Sequence, residues 1–192
     1  MTTESFPTQP EKGYGPSALA TPANAVTIAR VLVTPFMLAL IVARGASWPS
    51  VGAWIALAGT DGVDGYLARR HGTTRSGAFL DPLADKVLVL GAMVSLVVKG
   101  LFWWLPVVII GVREVGISAY RSAVGRRGVS VPARPLAKLK TVVQSFAVGF
   151  ALLPWTAHHR VVANSFLWAA VALTVVSGAQ YVLDSGKVAR EV

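Results

Sequence analysis

Long apolar stretches recur along this sequence and constrain its fold more than any other feature. Six of them can be drawn, at approximately 25–43, 48–68, 78–98, 101–124, 136–156 and 162–183. About 20 apolar residues are enough for a helix to cross the hydrocarbon core of a bilayer. Only 14% of the residues are charged, whereas an ordinary soluble domain has about 25%. We therefore predict an all-α, polytopic membrane protein with six transmembrane helices.

The distribution of basic residues predicts how these helices are oriented. Lysine and arginine outnumber aspartate and glutamate by 18 to 9, for a net charge of +9. The basic residues concentrate after the second and fourth apolar stretches and near the C-terminus. Cytoplasmic loops of membrane proteins carry such an excess, so both termini and these two connections are expected at the cytoplasmic face of the cell membrane. The same rule accounts for the basic charge, and no nucleic-acid partner is expected.

The chain is predicted to divide into a central helical domain and two short tails. Residues 1–20 are polar and lack the basic-then-apolar order of a signal peptide, so we predict a disordered cytoplasmic tail there. Residues 21–185 form the predicted six-helix domain, and residues 186–192 a cytoplasmic C-terminal tail. The sequence contains no cysteine, which excludes disulfides, thiolate metal sites and cysteine nucleophiles.

Four aspartates interrupt the facing ends of the second and third apolar stretches. Asp61 and Asp64 are three residues apart, and Asp81 and Asp85 are four apart, so each pair projects from one face of a helix. Four carboxylates close together at a membrane boundary repel strongly. Divalent cations remove that repulsion, and oxygen ligation suits Mg²⁺ or Mn²⁺ better than zinc. The pattern predicts a metal site on all four; the alternative is solvated helix-end carboxylates paired with neighbouring arginines.

The spacing of these residues resembles the signature of the CDP-alcohol phosphotransferases. The matching pattern reads Asp61-x2-Asp64-Gly65-x2-Ala68-Arg69, then Gly77-x3-Asp81-x3-Asp85. Between Arg69 and Gly77 there is one residue fewer than the family pattern has. The segment Asn24-x2-Thr27-x2-Arg30 is also similar to the family's first helix. The resemblance implies six transmembrane helices, a homodimer, and metal-dependent transfer from a CDP-linked lipid, with two ions expected.

The same resemblance implies roles for individual residues. Asp61, Asp64 and Asp81 would bind metal, while Asp85 would contribute to the metal site and act as general base. Physical reasoning alone leaves the base open among the four carboxylates. The CDP pocket would be lined by Asn24, Thr27, Gly65, Ala68, Arg69 and Thr74. Arg69 has an alternative role as a positive anchor at the cytoplasmic boundary.

Cationic residues in the fourth and fifth apolar stretches are candidates for binding a phosphorylated acceptor. Arg113 and Arg121 are eight residues apart, close to two helical turns, and therefore share a face. Lys138 and Lys140 follow in the next stretch, and Lys140 is the preferred one of the two. Such groups bind phosphate well, although Glu114 could instead serve as the partner of Arg113.

Two further segments indicate the acceptor. Residues 112–114 and 137–144 resemble the branch of the family that joins CDP-diacylglycerol to glycerol 3-phosphate and releases CMP. We predict that reaction at the cytoplasmic leaflet. The same chemistry with inositol phosphate, serine or phosphatidylglycerol (giving cardiolipin) is the alternative. A divalent-cation transporter is a remote alternative, because its carboxylates should lie near mid-membrane.

Overall fold

The chain forms six helices, seen in a computed structural model that describes residues 22–71, 75–125, 135–156 and 159–188, with side chains described for 24–60, 82–120, 139–156 and 159–180. The helices are α1 (Pro22–Arg44), α2 (Trp48–His71), α3 (Arg75–Val98), α4 (Trp104–Gly125), α5 (Pro135–Leu152) and α6 (Arg160–Val188). No strand occurs in these ranges. The all-α prediction is confirmed, and each predicted apolar stretch corresponds to one helix. The predicted N-terminal tail lies outside the described residues.

The helix ends differ from the apolar stretches for local reasons. Helix α5 ends at Leu152, before the predicted end at 156, because Pro154 cannot continue a helix. Helix α3 ends before Gly100, whose φ of +67° lies in the left-handed region that favours glycine. Helix α4 consequently begins at Trp104 rather than 101. Helix α6 continues to Val188, beyond the predicted end at 183. The prediction followed the apolar pattern, and a helix does not have to end where its residues become polar.

Helix α1 organises one half of the bundle. It packs extensively against both α2 and α3 and therefore links these two consecutive helices. Helix α5 contacts α2 and α3 as well, and it packs most extensively against α6. Helix α4 packs against α3 and α6. Helices α2 and α3, which carry the four aspartates, are therefore both contacted by α1 and by α5.

The core and the outer surface are both apolar. Interior side chains such as Ile41, Met93 and Ile110 are fully buried. On the outside, Phe36 is 76% exposed and Val161 is 75% exposed. Contiguous exposed apolar surface of this kind is rare on soluble monomers. Among the described residues, the segments Asn24–Arg44 and Arg160–Gln180 are long and apolar enough to cross a membrane, with mean hydropathies of 2.2 and 1.8.

Candidate active site

The helical backbone supports the spacing argument for the aspartates. Asp61 and Asp64 lie on α2, and Asp81 and Asp85 lie on α3, so the three- and four-residue intervals fall on helices as predicted. Among them, only the Asp85 side chain belongs to the described part. Within that part, no three His, Asp or Glu side chains gather into a metal-binding group. The metal site therefore stays a prediction.

Several other predicted residues lie where side chains are not described. Gly65, Ala68 and Arg69 are on α2, Arg121 is on α4 and Lys138 is on α5. Thr74 lies outside the described residues. The predicted site residues whose side chains are described are Asn24, Thr27, Asp85, Arg113 and Lys140. Their contacts define the site.

A cavity of about 580 Å³ opens beside Asp85, between α2, α3 and α5. Its polar lining includes Asp85 from α3 and Thr141 and Ser145 from α5. The remaining lining is mostly apolar and aromatic: Val51, Trp54, Ile55, Ala58, Gly59, Leu88, Val89, Val142, Phe146, Gly149, Phe150 and Leu153. A carboxylate at one end of a long apolar cavity fits a ligand with a polar headgroup and a hydrocarbon body.

The first helix turns a polar face into the bundle. Asn24, Thr27 and Arg30 are spaced three apart, and each is at least 98% buried. The Arg30 guanidinium donates its Nε–H to Thr60 Oγ1 at 3.1 Å, and Thr60 directly precedes Asp61. The Thr60 hydroxyl in turn donates to the Leu57 carbonyl at 2.6 Å. This face of α1 therefore contacts the part of α2 that leads into the first aspartate pair.

Arg30 has no role in the sequence-based site, but the structure shows it buried and in contact with α2. A charged side chain buried in a membrane helix is costly and commonly functional. The available signal was an arginine within the first apolar stretch, on the same helical face as Asn24 and Thr27. That signal does not identify Thr60 as the partner of Arg30, because the contact depends on how α1 packs against α2.

A second polar cluster joins α4, α5 and α6. The buried carboxylate of Glu114 accepts hydrogen bonds through Oε1 from Lys140 Nζ on α5 and from Arg113 Nη1 at 3.2 Å. Arg113 Nη2 donates to Ser177 Oγ on α6 at 2.9 Å. Arg113 Nε has no hydrogen-bond partner among the described residues. The Arg113–Glu114 pairing that the sequence offered as an alternative is thus present, and Lys140 joins it.

The Asp85 cavity and the Glu114 cluster lie on opposite sides of α5. Thr141 lines the cavity beside Asp85, and the preceding Lys140 points to Glu114. On α3, Lys86 follows Asp85 and donates to Ser118 Oγ on α4. Ser118 Oγ donates to the Glu114 carbonyl at 2.7 Å. Lys86, Ser118 and Glu114 therefore form one set of contacts between α3 and α4. Asp85 and Thr141, which line the cavity, are the sequence neighbours of Lys86 and Lys140. Sequence reasoning missed Ser118 and Ser177, because small polar residues in apolar helices give no signal without the helix packing. It assigned no role to Lys86, whose partner on α4 likewise depends on that packing.

Known proteins match this chain over most of its length. The family model for CDP-alcohol phosphatidyltransferases matches residues 20–176. A Mycobacterium tuberculosis (strain H37Rv) protein named probable phosphatidylglycerophosphate synthase is 43% identical over 183 residues, which cover 91% of this chain and 87% of the relative. A Bacillus subtilis (strain 168) protein named CDP-diacylglycerol–glycerol-3-phosphate 3-phosphatidyltransferase is 36% identical over 178 residues, covering 82% of this chain and 91% of the relative. A Haemophilus influenzae protein of the same name is 37% identical over 163 residues, covering 81% and 88%.

The chain belongs to the CDP-alcohol phosphatidyltransferase family. It is a membrane protein and a phosphatidyltransferase, as the sequence predicted. The family as a whole is generally metal-dependent, which agrees with the expected chemistry of the aspartates.

Proposed function

We propose that this chain transfers a phosphatidyl group from CDP-diacylglycerol to glycerol 3-phosphate, giving phosphatidylglycerophosphate and CMP in phospholipid biosynthesis. The printed names of the relatives from M. tuberculosis, B. subtilis and H. influenzae support this donor and acceptor. The observation that carries the proposal is the arrangement across α5. An apolar cavity with Asp85 lies on one side, and buried cations held at Glu114 lie on the other.

The cavity is the proposed donor site. Ile55 and Phe146, which line it, are 64% and 54% exposed, so the cavity is accessible from the outer apolar surface of the bundle. The acyl chains of CDP-diacylglycerol lie along this apolar lining. Its pyrophosphate lies at the Asp85 end. Asn24 and Thr27 are buried on α1 and are not among the residues that line the cavity; their role in binding the CDP group is a proposal. Roles in CDP binding for Gly65, Ala68, Arg69 and Thr74 are part of the same proposal.

The residues fit a divalent cation. Their donor set consists of carboxylate oxygens, which Mg²⁺ and Mn²⁺ prefer, and the partly buried Asp85 already faces the cavity. Asp61, Asp64, Asp81 and Asp85 would hold it. A bound cation neutralises charge on the donor pyrophosphate and stabilises the leaving phosphate of CMP.

The side chain of Asp85 is the proposed general base. Its carboxylate accepts the proton of the acceptor hydroxyl, whose oxygen attacks the lipid-side phosphorus in line. The new bond is phosphorus to acceptor oxygen, and the phosphorus–oxygen bond to CMP breaks. The apolar lining around Asp85 excludes water, which would otherwise compete as acceptor.

The acceptor phosphate is bound by cations from α4 and α5. Lys140 and Arg113 lie together at Glu114, and Arg121 and Lys138 are proposed to complete the set. Ammonium and guanidinium donors give strong, charge-assisted hydrogen bonds to a phosphate monoester. Serine lacks such a phosphate, and therefore fits this cluster less well than glycerol 3-phosphate.

The proposed topology has six membrane-spanning helices, both termini in the cytoplasm, and a homodimer as the functional unit. The excess of basic residues after α2 and α4 supports the orientation. Because the chain contains no cysteine, single introduced thiols report on one position each. Ser130→Cys should react with a membrane-impermeant maleimide only after cells are opened, and Ala46→Cys should react in intact cells. The opposite pattern would reverse the topology. Amine-specific crosslinking of the unmodified protein in membranes should give a dimer-sized band.

An acceptor panel tests the reaction. Purified protein in lipid is given CDP-diacylglycerol, Mg²⁺ or Mn²⁺, and one of four acceptors: glycerol 3-phosphate, inositol phosphate, serine or phosphatidylglycerol. We expect CMP release with glycerol 3-phosphate, loss of release with a chelator, and recovery on adding either cation. Release with another acceptor but not with glycerol 3-phosphate refutes the proposal.

A further inference from the structure

Glu114 is an acidic side chain buried inside an apolar bundle. It is 7% exposed, and it lies on α4 between two cations from different helices. One of its oxygens, Oε1, receives hydrogen bonds from both Lys140 and Arg113. Arg113 is also fixed on its other side by Ser177. Each cation is therefore held in one orientation before any substrate binds.

The cluster carries more positive than negative charge. Lys140 and Arg113 contribute two positive charges, and Glu114 contributes one negative charge. The surplus leaves the group attractive to a further anion, while the carboxylate limits the repulsion between the two cations. Donor capacity also remains, because an ammonium has three N–H groups and a guanidinium has five. One described hydrogen bond from Lys140 and two from Arg113 leave donors for a ligand.

The location of Glu114 relates it to the reacting groups. Its carbonyl accepts from Ser118, which accepts from Lys86, the neighbour of Asp85. Lys140 is the neighbour of Thr141, which lines the cavity that contains Asp85. The Glu114 cluster thus lies across α5 from the cavity, and it is linked through Ser118 to Lys86, the residue next in sequence to Asp85.

A purely structural role for this cluster is disfavoured by its energetics. Desolvating three charged groups is costly, and a buried ion pair or triad is often no more stable than apolar residues of the same volume. Apolar side chains of the same helices, such as Ile110, Val148 and Leu167, already pack together in the core. A fixed arrangement of charged donors is, however, what a phosphate site requires, because preorganised donors lose little entropy when the ligand binds.

We propose that Glu114 is a positioning residue for the acceptor site. It holds Lys140 and Arg113 in the orientation that receives the phosphate of a phosphate-monoester acceptor, and it does not itself touch that acceptor. The inference rests on the proposed function and deepens it. The Glu114 carboxylate would repel a phosphate directly, so its part in phosphate binding is indirect.

Steady-state kinetics of three variants test this role. Glu114→Gln keeps the size of the side chain and removes its charge, Glu114→Asp keeps the charge, and Thr174→Val is the matched control. Thr174 is fully buried on α6, one turn from Ser177, and its hydroxyl has no partner among the described residues. We expect Glu114→Gln to raise the KM for glycerol 3-phosphate about tenfold, which corresponds to about 1.4 kcal/mol of lost binding. The kcat and the KM for CDP-diacylglycerol should stay within about twofold of wild type.

The conservative variant and the control separate positioning from folding. Glu114→Asp should recover most of the acceptor affinity, and Thr174→Val should match wild type in all three constants. A parallel rise of both KM values in Glu114→Gln, together with a lower thermal-denaturation midpoint, indicates a structural role and overturns the inference. An unchanged KM for glycerol 3-phosphate overturns it as well.

Direct binding distinguishes failure of this inference from failure of the proposed function. Calorimetric titration of glycerol 3-phosphate into the protein, without CDP-diacylglycerol and at about pH 8, uses the dianion of the monoester, whose second pKa is about 6. Weaker binding by Glu114→Gln than by wild type supports the inference. Equal binding by the two, with normal turnover in wild type, overturns the inference and leaves the function intact. If wild type neither binds nor uses any phosphorylated acceptor, both are wrong.

Discussion

The substitution Thr60→Val tests the contact between α1 and α2 that lies beside the proposed metal site. Arg30 is 2% exposed, and its Nε donates to Thr60 Oγ1 at 3.1 Å. Valine has nearly the shape of threonine but cannot accept this hydrogen bond. The residue after Thr60 is Asp61, the first proposed metal ligand, so the variant alters the support of the metal site without altering a ligand.

The size of the effect follows from the type of bond that is lost. A hydrogen bond to a charged group contributes about 1.5–3 kcal/mol. If that loss appears entirely in cation binding, at about 1.4 kcal/mol per factor of ten, the affinity falls roughly ten- to hundredfold. Arg30 has further contacts that retain part of its position, so we expect a value near the lower limit. The midpoint of Mg²⁺ activation of CMP release should rise about tenfold.

Thr34→Val is the matched control for this measurement. Thr34 is buried on α1, and its hydroxyl donates to the Arg30 backbone carbonyl at 2.7 Å. This variant makes the same chemical change on α1, one turn from Arg30, but leaves the contact between the Arg30 guanidinium and Thr60 intact. We expect its Mg²⁺ midpoint to equal that of wild type. The reasoning fails if Thr60→Val leaves the midpoint unchanged, or if both variants shift it equally.

Three further substitutions test other parts of the structure. Asp85→Asn should lower kcat for CMP release by roughly 10²–10⁴-fold, the usual contribution of a general base; full activity would exclude that role. Gly149→Leu should raise the KM for CDP-diacylglycerol but not that for glycerol 3-phosphate, because Gly149 lines the cavity and a Cβ there already lies 3.5 Å from Trp54 Nε1. Equal effects on both substrates would argue against the donor site. Gly91→Val should destabilise the fold by about 1–3 kcal/mol in thermal denaturation, since its Cβ would lie 2.8 Å from Leu38 Cδ1. Adding Leu38→Ala should recover part of that loss, and no recovery would contradict the predicted overlap.

Much of the proposed site is visible in the sequence because its residues are close together along the chain. Helical periodicity relates Asp61 to Asp64 and Asp81 to Asp85 without any tertiary information, and the helical backbone agrees with that reading. Lys140 and Arg113 were also identified, since charged residues within apolar stretches are conspicuous. Their common partner, Glu114, was considered only for the adjacent Arg113.

Contacts between distant segments could not be predicted in the same way. Arg30 contacts Thr60 thirty residues later, and Arg113 contacts Ser177 sixty-four residues later. Neither pair has a sequence pattern, because each depends on the rotation of two helices about their axes. Ser177 in particular resembles any small polar residue of a membrane helix until α6 packs against α4.

The sequence by itself determined the number of helices, the family and the positions of the four aspartates. Hydrophobic length and helical spacing are properties of single segments, and the family follows from the resemblance of one motif, from Asp61 to Asp85, to a known signature. Only the tertiary structure decided that α1 joins α2 to α3, and that α5 separates the Asp85 cavity from the cations at Glu114. Those arrangements arise from side-chain packing between helices. In an apolar environment, many helix rotations satisfy the hydrophobic pattern equally well, and specific polar contacts select among them.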